Sequence, residues 1–369
     1  MIPVFKPSYD EDELNALREP FFRGWTGLGP KTKEFEEKFA SYIGVNHAVG
    51  LNSATAALHL ALKVADVEGG EVITTPMTFV STNIAILYNN AIPVFADVEP
   101  DTLNIDVNEI EKNINGRTKA IVVMHYGGHA CDMDPIIKLA REQKLKIIED
   151  AAHACGGEYK GEKLGSIGDM GCFSFHAVKN LSTGDGGMIT VHDSEYDSRL
   201  RKLRWMGISR DTWNRSEINT KYSWFYTVEE LGYKCHMNDI TAAIGLVQLE
   251  KLKKLNHRRR EIVQIYNKNF AVLDWLATPV EKEYAKSACH NYVVKVKGRD
   301  RFINYLQEHG ISASVHYFPN HLYDLFKEYR CSLPVTETVW KEIVTLPLFP
   351  DMTEQQIEKI IETIRNFRR

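Results

Sequence analysis

Apolar residues in the first two thirds of the chain follow two alternating patterns. Short, almost unbroken apolar runs occur at AVGL (48–51), EVITTP (71–76), IPVFADV (92–98), AIVVMHY (120–126), KIIED (146–150), GCFSF (171–175) and GMITVH (187–192). Between them apolar positions recur three and four residues apart: TAALHLALKVA from Thr55, STNIAILYNN from Ser81 and DPIIKLAREQK from Asp134. The first pattern predicts buried strands and the second amphipathic helices. Their alternation predicts the α/β class, with layers around a mostly parallel central sheet. The strands lack a polar face, which predicts helices on both sides.

From about Met237 the pattern changes. NDITAAIGLVQLEKLKKLNHRRREIVQIYNKNF keeps helical spacing throughout and predicts one long helix. HNYVVKVK, a helix at RDRFINYLQEHG, ISASVHYF and a last helix from Thr353 then read as a smaller α+β unit. The expected division is a large domain over 1–250, with an N-terminal arm over 1–15, and a small C-terminal domain over 251–369 that includes the long connecting helix. The basic run Lys251 to Arg260 reads as the solvated face of that helix.

Composition narrows the class. With 369 residues, 44% apolar and 25% charged, the chain can bury a core large enough for two domains. A net charge of −4 argues against a dedicated nucleic-acid binder but leaves room for a phosphorylated small molecule. The six cysteines include no C-x-x-C pair, which suits free thiols in a reducing compartment. MIPVFKPSYDEDEL lacks the apolar centre of a signal peptide, and no apolar run is long enough for a membrane span. The expectation is a cytoplasmic protein.

In parallel sheets ligands sit beyond the carboxyl ends of the strands. KIIE delivers Asp150 there, CFSF delivers His176 and Lys179, and VGL delivers Ser53, Ala54 and Thr55 at the start of a helix. VITTP delivers Met77, Thr78 and Phe79. A lysine held by glycines 184, 186 and 187, a carboxylate, a helix N-terminus and an aromatic ring suit pyridoxal phosphate (PLP). The amine condenses with the aldehyde, the carboxylate faces the pyridine nitrogen, the helix receives the phosphate and the ring stacks. Taken singly, Asp150 and Ser53 also fit helix caps, and Phe79 fits a core position. HYGGHACD (125–132) lacks the second ligand pair of a zinc site. No P-loop or Rossmann glycine motif is present.

Eight motifs, in order, carry a resemblance over nearly the whole chain: GWTGLGPKTKEFEEKFASYIG, LNSATAALHLAL, PMTFVST, EDAAHACGGEYKGEKLGSIGD, FSFHAVKNLSTGDGG, GYKCHMNDITAAIGLVQLEKL, NHRRREIVQIY and TLPLFPDMT. Together they resemble the DegT/DnrJ/StrS family of sugar-nucleotide aminotransferases, of the aspartate-aminotransferase fold (fold type I). The resemblance implies that Lys179 forms the Schiff base (internal aldimine) with PLP and that Asp150 faces the pyridine nitrogen. It places His153 near the phenolic oxygen, Ser174 and the backbone at Ser53 and Ala54 on the phosphate, and Phe79 on the ring. It also implies a homodimer in which Asn238 reaches the phosphate of the neighbouring subunit. Asp185 departs from the family's common Glu, and Met206 after Trp205 from its usual His-Gly pair.

The implied reaction moves an amino group, from L-glutamate, onto a nucleotide-linked keto-sugar. VHYFPNHLYDLFKE, with His316 and His321, and RWMGISRDTWNR resemble the branch that aminates C4 of a 4-keto pentose or hexose. Amination at C3 is the alternative. Arg204, Arg210 and Arg215 suit a diphosphate, or equally a charged surface loop. Relatives that dehydrate sugars carry His where Lys179 stands, and a non-catalytic role would not require the Asp150–Lys179 pair.

Overall fold

The computed structural model describes residues 1–209 and 225–368. Its first strands are β1 (His47–Leu51), β2 (Glu71–Thr74), β3 (Ile92–Phe95), β4 (Thr118–Met124) and β5 (Lys146–Asp150). A two-residue hairpin, β6 (Glu158–Tyr159) and β7 (Glu162–Lys163), precedes β8 (Met170–Ser174) and β9 (Gly187–Val191). Seven of these form the central sheet in the order β1-β9-β8-β5-β4-β2-β3. The neighbours from β8 to β3 pair in parallel, while β9 runs antiparallel to both β8 and β1.

Side chains alternate across this sheet into two cores, as the period of two requires. Val49, Val72, Val122, Ile148, Cys172 and Ile189 pack with the helix Ala54–Val64. Ala48, Ile73, Val123, Ile147, Phe173 and Met188 pack with Phe35 and Phe39 of the helix Pro30–Ile43 and with Ala242 and Leu246. The expected two-sided cover is therefore present. The run IPVFADV leaves the sheet at Phe95 because Asp97 turns away. Its carboxylate accepts from the Val335 and Thr336 N–H groups and from the Thr336 hydroxyl, so it caps a helix of the C-terminal part.

The long helix spans Asp239–Phe270 and changes core along its length. Ala242, Leu246 and Leu252 enter the large core, whereas Ile262, Tyr266 and Phe270 enter a separate C-terminal one. That second core covers a sheet of β10 (Leu276–Ala277), β12 (Tyr292–Val296) and β13 (Ile343–Leu346). Another short strand, β11 (Ala285–Lys286), pairs back onto β6. The first residues, expected to form an N-terminal arm over 1–15, pack on the C-terminal core. Ile2 is buried in its core, Ile2 N–H donates to Gly310 O, and Val4 O accepts from Leu348 N–H. Extended backbone with open hydrogen-bonding groups finds partners there. The basic run is also not wholly solvated: Arg259 is buried and donates to Leu348 O.

Candidate active site

Register brings the ends of distant strands together. Leu51 of β1 pairs with Gly187 of β9, and Gly187 pairs with Ser174 of β8. Asp150, at the end of β5, pairs with Cys172 and Met124 on its two neighbours. One rim thus carries Ser174, Asp150 and the chain emerging from Leu51. Two residues past Leu51, the Ser53 hydroxyl accepts from Ala56 N–H at 3.1 Å and caps the helix Ala54–Val64. The first N–H groups of that helix have no intrahelical acceptor and point their positive end at the rim. Gly187 explains part of the glycine punctuation. A Cβ there would sit 2.4 Å from the Ser53 carbonyl carbon and 2.7 Å from Ala54 N, so only glycine lets β9 begin against the helix N-terminus. Gly184 holds φ +85°, the left-handed turn that returns the chain after Lys179.

A cleft of about 370 Å³ opens over this rim and is lined by Ser53, Ala54, Thr55, Phe79, Asp150, His153, Ser174, Lys179 and His316. Lys179 is half-buried, and burial pulls its ammonium down to about 8 against the opposing pull of Asp150. Near neutrality a usable fraction of the amine is therefore unprotonated. Asp150 is buried, and burial raises its carboxyl above the usual range. Its oxygens accept from the Thr82 hydroxyl at 2.6 Å and from Ala152 N–H at 3.1 Å. No helix follows Asp150, so it is not a helix cap. Ser53 is a cap and a cleft residue at once.

His153 is 2% exposed, and burial, then the charge of Lys179, keeps its imidazole neutral. Phe79 is 57% exposed and belongs to the cleft wall rather than the core. The His316 ring is half-buried, with Nδ1 2.8 Å from the Thr345 hydroxyl, and burial brings it down to about 4. His125 and His129, in the segment that resembles a metal motif, are used otherwise. His125 Nε2 lies 2.9 Å from Glu149, and His129 Nε2 accepts from Lys282 N–H.

Other expected site residues lie elsewhere. Arg204 is buried, 3% exposed, and donates to Glu36 and to Gly50 O. It is not a cleft residue and holds β1 to the helix Pro30–Ile43. His321 is fully buried beside Phe95, with Nε2 3.5 Å from Glu337, and does not line the cleft. Arg210 and Arg215 lie outside the described residues. Asn238 caps the long helix, accepting from Thr241 N–H at 2.9 Å, and is absent from the cleft wall of its own chain.

Two contributors escaped the sequence reading. Thr82 bonds Asp150 from 68 positions upstream, in a helix start whose only local signal is the MTFVST run. Tyr317 enters the cleft from the C-terminal part, its hydroxyl 2.9 Å from His153 Nε2. Its neighbour His316 drew attention in sequence; Tyr317 did not.

The DegT/DnrJ/EryC1/StrS aminotransferase family matches residues 7–365. The spore coat polysaccharide biosynthesis protein SpsC of Bacillus subtilis is 40% identical, over 99% of this chain and 96% of its own length. The crystal structure of sugar aminotransferase CalS13 from Micromonospora echinospora superposes with a TM-score of 0.92 at 33% identity, covering 100% of both chains. Spr1654 of Streptococcus pneumoniae in its PLP form gives 0.91 at 32% identity, covering 98% of this chain and 97% of that one. A lysine, a buried carboxylate and a helix N-terminus on one rim are what PLP chemistry needs, and the chain belongs to the DegT/DnrJ/EryC1/StrS family of PLP-dependent aminotransferases.

Proposed function

We propose that this protein transfers the amino group of L-glutamate to the carbonyl of a nucleotide-linked keto-sugar, at C4 of a pentose or 6-deoxyhexose. The observation that carries this reading is the convergence of Lys179, Asp150 and His153 in one cleft with the N-terminus of the helix Ala54–Val64. The names of the relatives support a sugar acceptor: CalS13 is a sugar aminotransferase, and SpsC serves polysaccharide biosynthesis. Lysine at position 179 argues against the dehydratase reading.

The cleft suits PLP on two physical grounds. The close approach of Gly187 to Ser53 leaves the helix N-terminus and the Ser174 hydroxyl beside each other for an anion. His153 Nδ1 is buried on the wall of the same cleft without a partner among the described residues. When bound, PLP supplies an aldehyde that condenses with amines and a ring that accepts electrons from the adjoining carbon.

The chain's own groups then divide the work. Ala54 and Thr55 N–H groups and Ser174 Oγ would hold the phosphate, and Asp150 would keep the ring nitrogen protonated. A cation opposite Asp150 offsets the burial that raises its carboxyl, so the ionised form wins once the ring is in place. Lys179 would hold the cofactor covalently and, once released, carry the proton between the substrate carbon and the cofactor. Its amine, at about 8, takes and returns a proton near neutral pH. Phe79 would cover one ring face. Asn238 of the partner subunit would complete the phosphate site in a homodimer: with its oxygen engaged as the helix cap, its amide nitrogen would be left to donate.

The test is chemical. Purified holoprotein should be yellow and lose that colour with L-glutamate, and borohydride should fix the cofactor to the peptide containing Lys179. Fixation at any other lysine would overturn the assignment.

A further inference from the structure

Tyr317 and His153 come from different parts of the chain and meet across the cleft, phenol oxygen to Nε2 at 2.9 Å. Their rings stack at 5.9 Å with 23° between planes, and Tyr317 also lies 6.2 Å from Phe79. The groups facing His153 are Lys179, His290, His316 and Tyr317; the His290 ring is 4.3 Å away. Burial keeps both partners neutral, the imidazole well below its ordinary value and the phenol far above. A neutral imidazole has one N–H and one bare nitrogen. If Nε2 carried the proton, the bare Nδ1 would be left without a donor and the phenol hydrogen without an acceptor among the described residues. If the phenol donates to Nε2, the only unmet group is an Nδ1–H. That atom is the buried nitrogen without a partner among the described residues.

We infer that Tyr317 is a positioning residue that fixes His153 in the Nδ1–H tautomer, so that the cleft presents a neutral, orientated N–H donor to an anionic oxygen on the ligand. The inference rests on the reading of this cleft as a PLP site only for the ligand's identity; the tautomer is a property of the protein alone. A neutral donor stabilises an oxyanion without adding a titrating charge beside Lys179. The hydrogen bond also ties the segment around Tyr317 to the sheet rim.

The tautomer is read from 15N shifts of the histidine rings in the cofactor-free protein, with His153→Gln identifying the resonance. Wild type should show a protonated Nδ1 and a bare Nε2, and Tyr317→Phe should move the proton largely to Nε2. A wild-type ring protonated at Nε2, or a Tyr317→Phe variant with an unchanged pattern, would overturn the inference, whatever the cofactor proves to be. In the holoenzyme Tyr317→Phe should lower kcat about tenfold, the scale of one hydrogen bond, with little change in KM for the amino donor. In a His153→Gln background the same change should have no such effect, because an amide always carries both a donor and an acceptor. An equal loss in both backgrounds would show that Tyr317 acts through packing and would also refute the inference. A wild-type melting temperature for Tyr317→Phe guards against a folding artefact.

Discussion

Replacing Asp150 by asparagine separates its charge from its place in the fold. The carboxylate accepts two hydrogen bonds, from Thr82 Oγ1 and Ala152 N–H. An asparagine oxygen can keep the Ala152 bond. Its amide NH2 would face Thr82 Oγ1, which can accept because its hydroxyl also lies 2.7 Å from Thr78 Oγ1 and can redirect its proton there. The substitution should therefore cost the fold no more than about 1 kcal/mol, one rearranged hydrogen bond. In the cofactor-free protein even this cost is softened, because burial already favours the neutral acid at this position. The chemistry should suffer far more. A neutral amide leaves the ring nitrogen without a counter-charge where solvent is excluded, and loss of one such electrostatic partner typically costs about 10² to 10³ in rate. Stopped-flow loss of visible absorbance on mixing with L-glutamate isolates that half of the reaction, and thermal melting monitors the fold. A half-reaction within about threefold of wild type, or a melting loss on the order of 10 °C, would refute the reasoning.

Arg204→Ala should destabilise by roughly 1.5–3 kcal/mol, since the buried Glu36 loses one of its two arginines but keeps Arg201 and the Gly50 N–H, yet leave KM for the amino acceptor unchanged; calorimetry with steady-state kinetics checks both. Lys179 has its ammonium lowered from 10.5 to about 8 in the fold. Between those values the unfolded chain binds the extra proton, so stability of the cofactor-free protein gains from this residue as pH rises from about 8 to 10.5. Lys179→Met should therefore be more stable than wild type at pH 7, by at most about 3 kcal/mol, and lose that advantage by about pH 10.5, as denaturant titrations at the two pH values would reveal. For the shared site, Lys179→Ala and Asn238→Ala variants, weak alone, should recover roughly a quarter of wild-type activity when refolded together. Random pairing makes half the dimers mixed, and each mixed dimer has one intact site. No recovery in confirmed heterodimers would remove Asn238 from the partner's site.

How much of this was written locally in the chain differs residue by residue. The strands of the central sheet could be read from the sequence because apolar runs buried on both faces leave an unmistakable pattern. Lys179 could be read because glycines 184, 186 and 187 have no packing purpose in an ordinary loop. Asp150 and Ser53 were legible as positions but not as roles, since a strand-end carboxylate or a helix-start serine has the same local sequence whether it caps or binds. Only register brings them together: Asp150 between Cys172 and Met124, and Ser53 against Gly187, lie on one rim because strands far apart in sequence pair. Arg204 went the other way. An arginine in a polar run reads as a surface cation, and it took the fold to place Glu36 against it. Thr82 and Tyr317 lie inside the quoted runs PMTFVST and VHYFPNHLYDLFKE but nothing local marked them, because a hydroxyl gains its function from the partner it reaches, and those partners stand 68 and 164 positions away. Burial patterns are short-range and survive in sequence; the pairing of polar groups is long-range, and tertiary structure alone decides it.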